Sequence, residues 1–152
     1  MATTLRRLYY AASGDPPEGQ RWSPRLPEGG GFVDGMADPG RLPGWLSTED
    51  FDAAVAAFRK SGFRGGLNWY RNLTRNWELL APWAGATIRQ PALFIAGERD
   101  AVLGWSGAAV ERLPQVLPDL RGRCIIPGAG HWVQQERPEE VNAALLAFLR
   151  GL

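Results

Sequence analysis

The run Ala92-Leu93-Phe94-Ile95-Ala96, closed by Gly97-Glu98-Arg99-Asp100, constrains the fold more than any other part of this chain. Apolar residues in unbroken succession, with no polar alternation, suit a strand covered on both faces inside a parallel sheet. Arg123-Cys124-Ile125-Ile126 reads as a second buried strand, broken by Pro127-Gly128, and residues 107–113 between them read as helix. A last helix has Pro138 at its first position, Glu139 and Glu140 in its first turn, and an apolar stripe of Val141, Leu145 and Phe148. It closes at Arg150 and Gly151, so cap, charge and stripe agree. Strand, helix, strand, helix after residue 90 is an α/β arrangement with right-handed crossovers.

The first half follows another grammar. Residues 13–45 are crowded with glycine and proline, including Asp15-Pro16-Pro17, Gly29-Gly30-Gly31 and Leu42-Pro43-Gly44. They form either a disordered linker or a long ordered loop anchored by Trp22, Phe32, Val33, Trp45 and Leu46. At Ser47-Thr48-Glu49-Asp50 a serine followed three residues later by an acid marks a helix start. Phe51, Val55 and Phe58 then share one helical stripe, and Gly62 ends it. A second helical stretch is expected over residues 70–80, stopping before Pro82.

Composition narrows the partners. A chain of 152 residues with a net charge of +1 is one domain or part of one, with no electrostatic pull towards nucleic acid or an anionic membrane. Nothing approaches the roughly 20 apolar residues of a membrane helix, and the first residues lack a signal-peptide core. The single cysteine, Cys124, forms no intrachain disulfide and reads as a buried, inert thiol in a reducing, cytoplasmic setting.

Asp100 falls just past the end of one strand, and His131, the sole histidine, in the loop after the next. Polar residues at the carboxyl ends of strands in open α/β sheets face the ligand crevice. Acid then histidine on successive strands is the order of a hydrolase relay, in which the acid orients the imidazole and the imidazole takes a proton from water. The plainer alternative for His131 is a structural or surface role. Tyr70, between Trp69 and Arg71, is either a packing residue or a donor to an oxygen that gains charge as a bond breaks. The pair Glu98 and Asp100 lacks the companions of a metal site, and side chains past a strand end diverge too far for glycosidase work. Gly104-Trp105-Ser106-Gly107-Ala108 imitates a serine elbow but ends in alanine and follows the acid loop, where an elbow must precede it. No glycine run matches a nucleotide fingerprint, and no cofactor is implied.

Three segments carry a family resemblance. Ser61-Gly62-Phe63-Arg64-Gly65-Gly66-Leu67-Asn68-Trp69-Tyr70-Arg71-Asn72, Gly97-Glu98-Arg99-Asp100 and Gly130-His131-Trp132-Val133-Gln134-Gln135-Glu136-Arg137-Pro138 resemble the soluble epoxide hydrolases of the α/β-hydrolase superfamily. Looser likeness reaches back to Leu5-Arg6-Arg7-Leu8, so nearly the whole chain is covered. The resemblance implies that residues 1–82 are a mostly helical cap or lid portion and residues 83–152 the C-terminal part of the hydrolase core. It implies that Tyr70 binds and protonates the epoxide oxygen, that Asp100 and His131 form the charge relay, and that Trp69 and Trp132 help shape the substrate pocket. In such enzymes an aspartate opens the epoxide to an alkyl-enzyme ester, which water then hydrolyses to a vicinal diol.

The resemblance also marks a departure. The family's His-Gly-x-Pro segment, its aspartate nucleophile and its first cap tyrosine have no counterpart in these residues, so the chain by itself is expected to be inactive. Cut sheet edges make it a candidate for homo-oligomers or aggregates. Two other readings stay open: a non-catalytic interaction module, and the C-terminal half of a haloalkane dehalogenase with tryptophan indoles on a halide.

Overall fold

The computed structural model describes residues 1–23 and 28–152. Helix α1 (Ala2–Ala12) comes first, a helix without a clear start signal in its residues; no side chain caps its first turn. Helix α2 (Thr48–Ser61) begins where the capping pattern places it. The Ser47 hydroxyl accepts from the Asp50 amide at 3.0 Å and donates to the Asp50 carboxylate at 2.6 Å. It ends at Gly62, whose φ of 64° lies in the region that side-chain-bearing residues avoid. The two helices meet on a core of Leu5, Phe51 and Val55, with Tyr9, Leu42, Leu46, Phe58 and Phe63 packed round it.

The described parts of residues 13–45 form an ordered loop; residues 24–27 within it lie outside the described residues. Its anchors are aromatic and ionic. Trp22 packs at 5.0 Å between ring centroids on Trp105 and at 6.1 Å on Phe32, and Trp45 meets Tyr9 edge-on at 6.2 Å. Arg6 grips Asp38 with two parallel bonds of 2.7 Å, and Met36 is buried.

The helical stretch expected over residues 70–80 is two helices, α3 (Arg64–Arg71) and α4 (Leu73–Leu79), followed by a short turn of 3-10 helix at Ala81–Trp83. The break falls at Asn72. Its amide N–H is shared between the carbonyls of Asn68 and Trp69, and its side chain donates to Asn68 at 2.8 Å. A local side-chain bond of this kind competes with continuation of the helix. Every residue from 64 to 91 is exposed.

The α/β grammar after residue 90 is as expected, with finer division. Strand β1 (Ala92–Gly97) is followed by α5 (Ala101–Trp105), α6 (Gly107–Glu111) and α7 (Leu113–Val116). Strand β2 (Leu120–Ile126) then leads to α8 (Val133–Glu136) and α9 (Pro138–Arg150). The strands are parallel neighbours, with Phe94 opposite Arg123 and Ile95 opposite Cys124. A second core joins Ile126, Ala129 and Val141, with Ile95 and Val133 against it. The expectation of strands buried on both faces holds only at their carboxyl ends: Ala96, Gly97 and Ile126 are buried, Cys124 is half-buried and Ile125 is 41% exposed. A sheet of two strands among the described residues leaves each strand with an unpaired edge and less cover than a larger sheet provides. Within the α9 stripe Val141 is buried and Leu145 exposed.

Leu5 is 2% exposed and Leu80 60%. Leu5→Ala is expected to lower unfolding stability by about 2–5 kcal/mol and Leu80→Ala by less than about 0.5 kcal/mol, read as shifts in urea midpoints. Equal effects would mean that α1 and α2 do not share a core.

Candidate active site

The carboxyl ends of β1 and β2 turn into two loops that face each other. Asp100 caps the short helix after β1, its Oδ1 accepting from the Val102 amide at 2.8 Å. His131 stands in the loop after β2. Its Nδ1 lies 3.2 Å from Asp100 Oδ2 and 3.3 Å from Oδ1. A carboxylate only accepts, so Nδ1 carries the proton and Nε2 is left as the basic nitrogen.

The surroundings reinforce this pairing. Burial raises the Asp100 carboxyl, but the His131 hydrogen bond, the Val102 amide and the imidazolium charge outweigh it and hold it below its ordinary value. His131 is raised above its ordinary value chiefly by its bond to Asp100. Burial opposes that shift, and the charges of Asp100 and Glu136 add to it. Together the two side chains line an open cleft of about 350 Å³ whose other walls are largely apolar, among them Phe94, Val102, Leu103, Val110 and Val133. An apolar cleft with convergent polar groups is the usual form of a small-molecule site. Asp100 is the one carboxylate among its lining residues, and it is engaged with His131.

The loop bearing His131 is fixed from beneath. The His131 amide donates to the Ala12 carbonyl at 2.8 Å, at the end of α1. The Glu136 carboxylate, 5% exposed, accepts from the amides of Gly14 at 2.8 Å, Gly130 at 2.9 Å and Trp132 at 3.1 Å. Arg99, next to Asp100, donates to the Gly14 carbonyl at 2.7 Å. The backbones approach so closely that a Cβ on Gly14 would lie 1.9 Å from the Gly128 carbonyl oxygen, and one on Gly130 2.3 Å from a Ser13 backbone carbon.

Of the residues expected at a site, Asp100 and His131 are brought together. Trp132 lies beside them, its ring edge-on to the imidazole at 5.0 Å, but its indole N–H is committed to the Tyr9 carbonyl at 3.0 Å. Trp69 and Tyr70 sit on α3, 73% and 67% exposed, and do not line the cleft. The sequence reading missed Glu136 and Gly14. Glu136 stood in view five positions after the histidine, yet nothing in spacing alone says that its carboxylate turns back onto the loop.

Residues 1–144 match the model of the Alpha/beta hydrolase family. Epoxide hydrolase A of Mycobacterium tuberculosis (strain ATCC 25618 / H37Rv) is 46% identical over 153 residues, which take in 99% of this chain and 46% of that protein. The crystal structure of Epoxide Hydrolase A from Mycobacterium thermoresistibile superposes with a TM-score of 0.85 at 49% identity, over 99% of this chain and 46% of that one. An epoxide hydrolase from an endophytic Streptomyces superposes with a TM-score of 0.91 at 40% identity, with the same coverage. The chain thus spans about half the length of the relatives it matches.

The pair has a pH signature. The raised His131 pKa contributes stability that is full below the histidine's unfolded value and lost as pH rises through the folded one. The lowered Asp100 pKa contributes stability present above its unfolded value and lost as pH falls through the folded one. Asp100→Asn should therefore bring the His131 pKa down towards about 6.5. It should also destabilise the chain most in mildly acidic solution and least in alkali. NMR titration of the sole imidazole, with urea midpoints across pH, checks both; an unmoved His131 pKa would exclude the pairing.

Proposed function

The chain belongs to the Alpha/beta hydrolase family, and from that premise we propose that it carries the charge-relay half of an epoxide hydrolase active site. The observation that carries the reading is the Asp100–His131 pair at adjacent strand ends, on the wall of an apolar cleft. The similarity to epoxide hydrolases along 99% of the chain supports an epoxide as substrate.

In this reading an aspartate in the part of the fold that the relatives have, and this chain does not span, attacks an epoxide carbon. The C–O bond breaks, the ring oxygen takes a proton from the Tyr70 phenol, and an alkyl-enzyme ester forms. His131 Nε2 then removes a proton from water, and the resulting hydroxide adds to the ester carbonyl. Collapse expels the diol's second oxygen as an alkoxide, which takes the remaining proton of the added hydroxide. The vicinal diol leaves, the carboxylate is restored, and the imidazolium returns its proton to the Tyr70 phenolate. Asp100 keeps Nε2 free by holding the proton on Nδ1, and its charge stabilises the imidazolium. The ring of Tyr70 is exposed and open to a ligand. Residues 1–82 serve as lid and residues 83–152 as core. The unpaired Cys124 fits a reducing, cytoplasmic setting.

One observation favours a second reading, an association module. Trp77 is 77% exposed, Trp69 73% and Trp83 64%, an apolar surface of the kind that marks interaction sites. A stable dimer of this chain by sedimentation, with no gain of turnover on rejoining, would favour it.

The deciding experiment fuses residues 1–152 in frame to the N-terminal half of an epoxide hydrolase relative and assays diol formation on a panel of aryl and alkyl epoxides. The chain alone should give no turnover and the fusion should. In the fusion, His131→Ala should cut turnover by roughly 10³-fold or more and trap the alkyl-enzyme ester by mass spectrometry. Tyr70→Phe should cost about 10²–10³-fold. A folded fusion inactive on every epoxide would overturn the reading.

A further inference from the structure

We propose that Glu136 is a positioning residue for His131, a buried carboxylate that holds the imidazole-bearing loop in the one place where Nδ1 meets Asp100. The proposal rests on the reading of His131 as the base. Glu136 takes no part in the cleft: it is 5% exposed and is not among the lining residues. Its acceptors are spent on backbone N–H groups. Oε2 receives Gly130 and Gly14, and Oε1 receives Trp132, so the amides immediately before and after His131 end on one carboxylate. The intervening His131 amide ends on Ala12. Three successive amides are thereby fixed, and the imidazole has little freedom left except its own side-chain torsions.

The same carboxylate reaches the acid. Gly14, held by Glu136 through its N–H, accepts from Arg99 through its carbonyl, and Arg99 precedes Asp100. The Arg99 amide donates in turn to the Ala129 carbonyl at 2.8 Å. Both members of the relay are therefore referred to residues 12–14, with Glu136 as the common clamp. A charge-assisted acceptor suits this task because each of its bonds is stronger than a neutral one. The charged groups around the loop are Asp100 on the imidazole, Glu98 accepting from the Gly128 amide at 3.0 Å, Arg99 on Gly14, and Arg137 donating to the Glu136 carbonyl at 2.8 Å.

The single histidine makes the test direct, because every imidazole signal is that of His131. Two variants separate charge from reach. Glu136→Asp keeps the charge but is one methylene too short to span all three amides, whereas Glu136→Gln keeps the length and loses one acceptor oxygen to an NH₂ group. Nitrogen-15 NMR of the imidazole should show the Nδ1–H form dominant in the wild type and mixed tautomers in both variants. Amide-exchange protection of Gly130, His131 and Trp132 should fall by about tenfold or more, while that of Phe51 and Val55 is unchanged. Unchanged tautomer and protection in both folded variants would overturn the proposal. Should the variants fail to fold, the wild type alone decides: Gly14, Gly130 and Trp132 amides exchanging as fast as the exposed Gly19 amide would overturn it, and strong protection would support it. In the rejoined protein, Glu136→Asp should lower kcat with KM little changed. The NMR readouts involve no turnover, so a failure of this proposal and a failure of the epoxide reading are distinguishable.

Discussion

The buried carboxylate of Glu136 is the interaction on which the arrangement of the site depends. It collects the amides of Gly14, Gly130 and Trp132, which come from the end of the first helix and from both sides of the histidine. Each buried amide left without a partner costs about 1–3 kcal/mol, so a single side chain offsets several such penalties. It does so where no other group could enter: Gly14 and Gly130 pass too close to neighbouring backbone for any side chain. The sequence requires two glycines and an acid at this junction for the same physical reason, the need to bring three backbone segments into contact without leaving a polar group dry and unpaired.

That junction determines what the strand ends can do. Parallel pairing of β1 and β2 sets the spacing of their following loops, and the register Gly97 to Ile126 puts Asp100 and His131 at matching heights. Proximity alone leaves the imidazole free to rotate away. The clamp beneath it and the carboxylate beside it remove that freedom, one acting on the backbone and the other on the ring. The electrostatics then follow: a partly buried acid that burial pushes towards neutrality is kept charged by its bonds to the His131 ring and the Val102 amide.

Much of this was legible in the residues. Unbroken apolar runs gave both strands, the Ser47 pattern gave the start of α2, and Pro138 with two acids gave the start of α9, because each of these signals is local. The meeting of Asp100 and His131 was legible because both follow the carboxyl ends of neighbouring parallel strands. What escaped was non-local. Helix α1 has no side-chain cap and is held by Leu5 against Phe51 and Val55, a contact some fifty residues distant in sequence. The role of Glu136 likewise depends on Gly14, 122 positions away. Burial of the strands was overestimated because an apolar run reports the environment it is suited to, and here only the carboxyl ends of the strands have that environment.

The uneven packing separates two kinds of part. The contacts that hold Asp100 and His131 all lie within this chain: the end of α1, the loop after β1, the loop after β2 and Glu136. The helices that carry Trp69, Tyr70 and Trp77 make no comparable set, and every residue from 64 to 91 is exposed. Apolar side chains left in water forgo about 25 cal/mol for each Å² they would bury, so this surface favours any partner that covers it. The Asp100–His131 geometry is thus set by contacts among these residues, while the Tyr70 phenol on α3 has no comparable set of contacts to fix it. The pair is held by buried backbone contacts at one end of the sheet, while the helices of residues 64–91 present an uncovered apolar surface in another part of the chain.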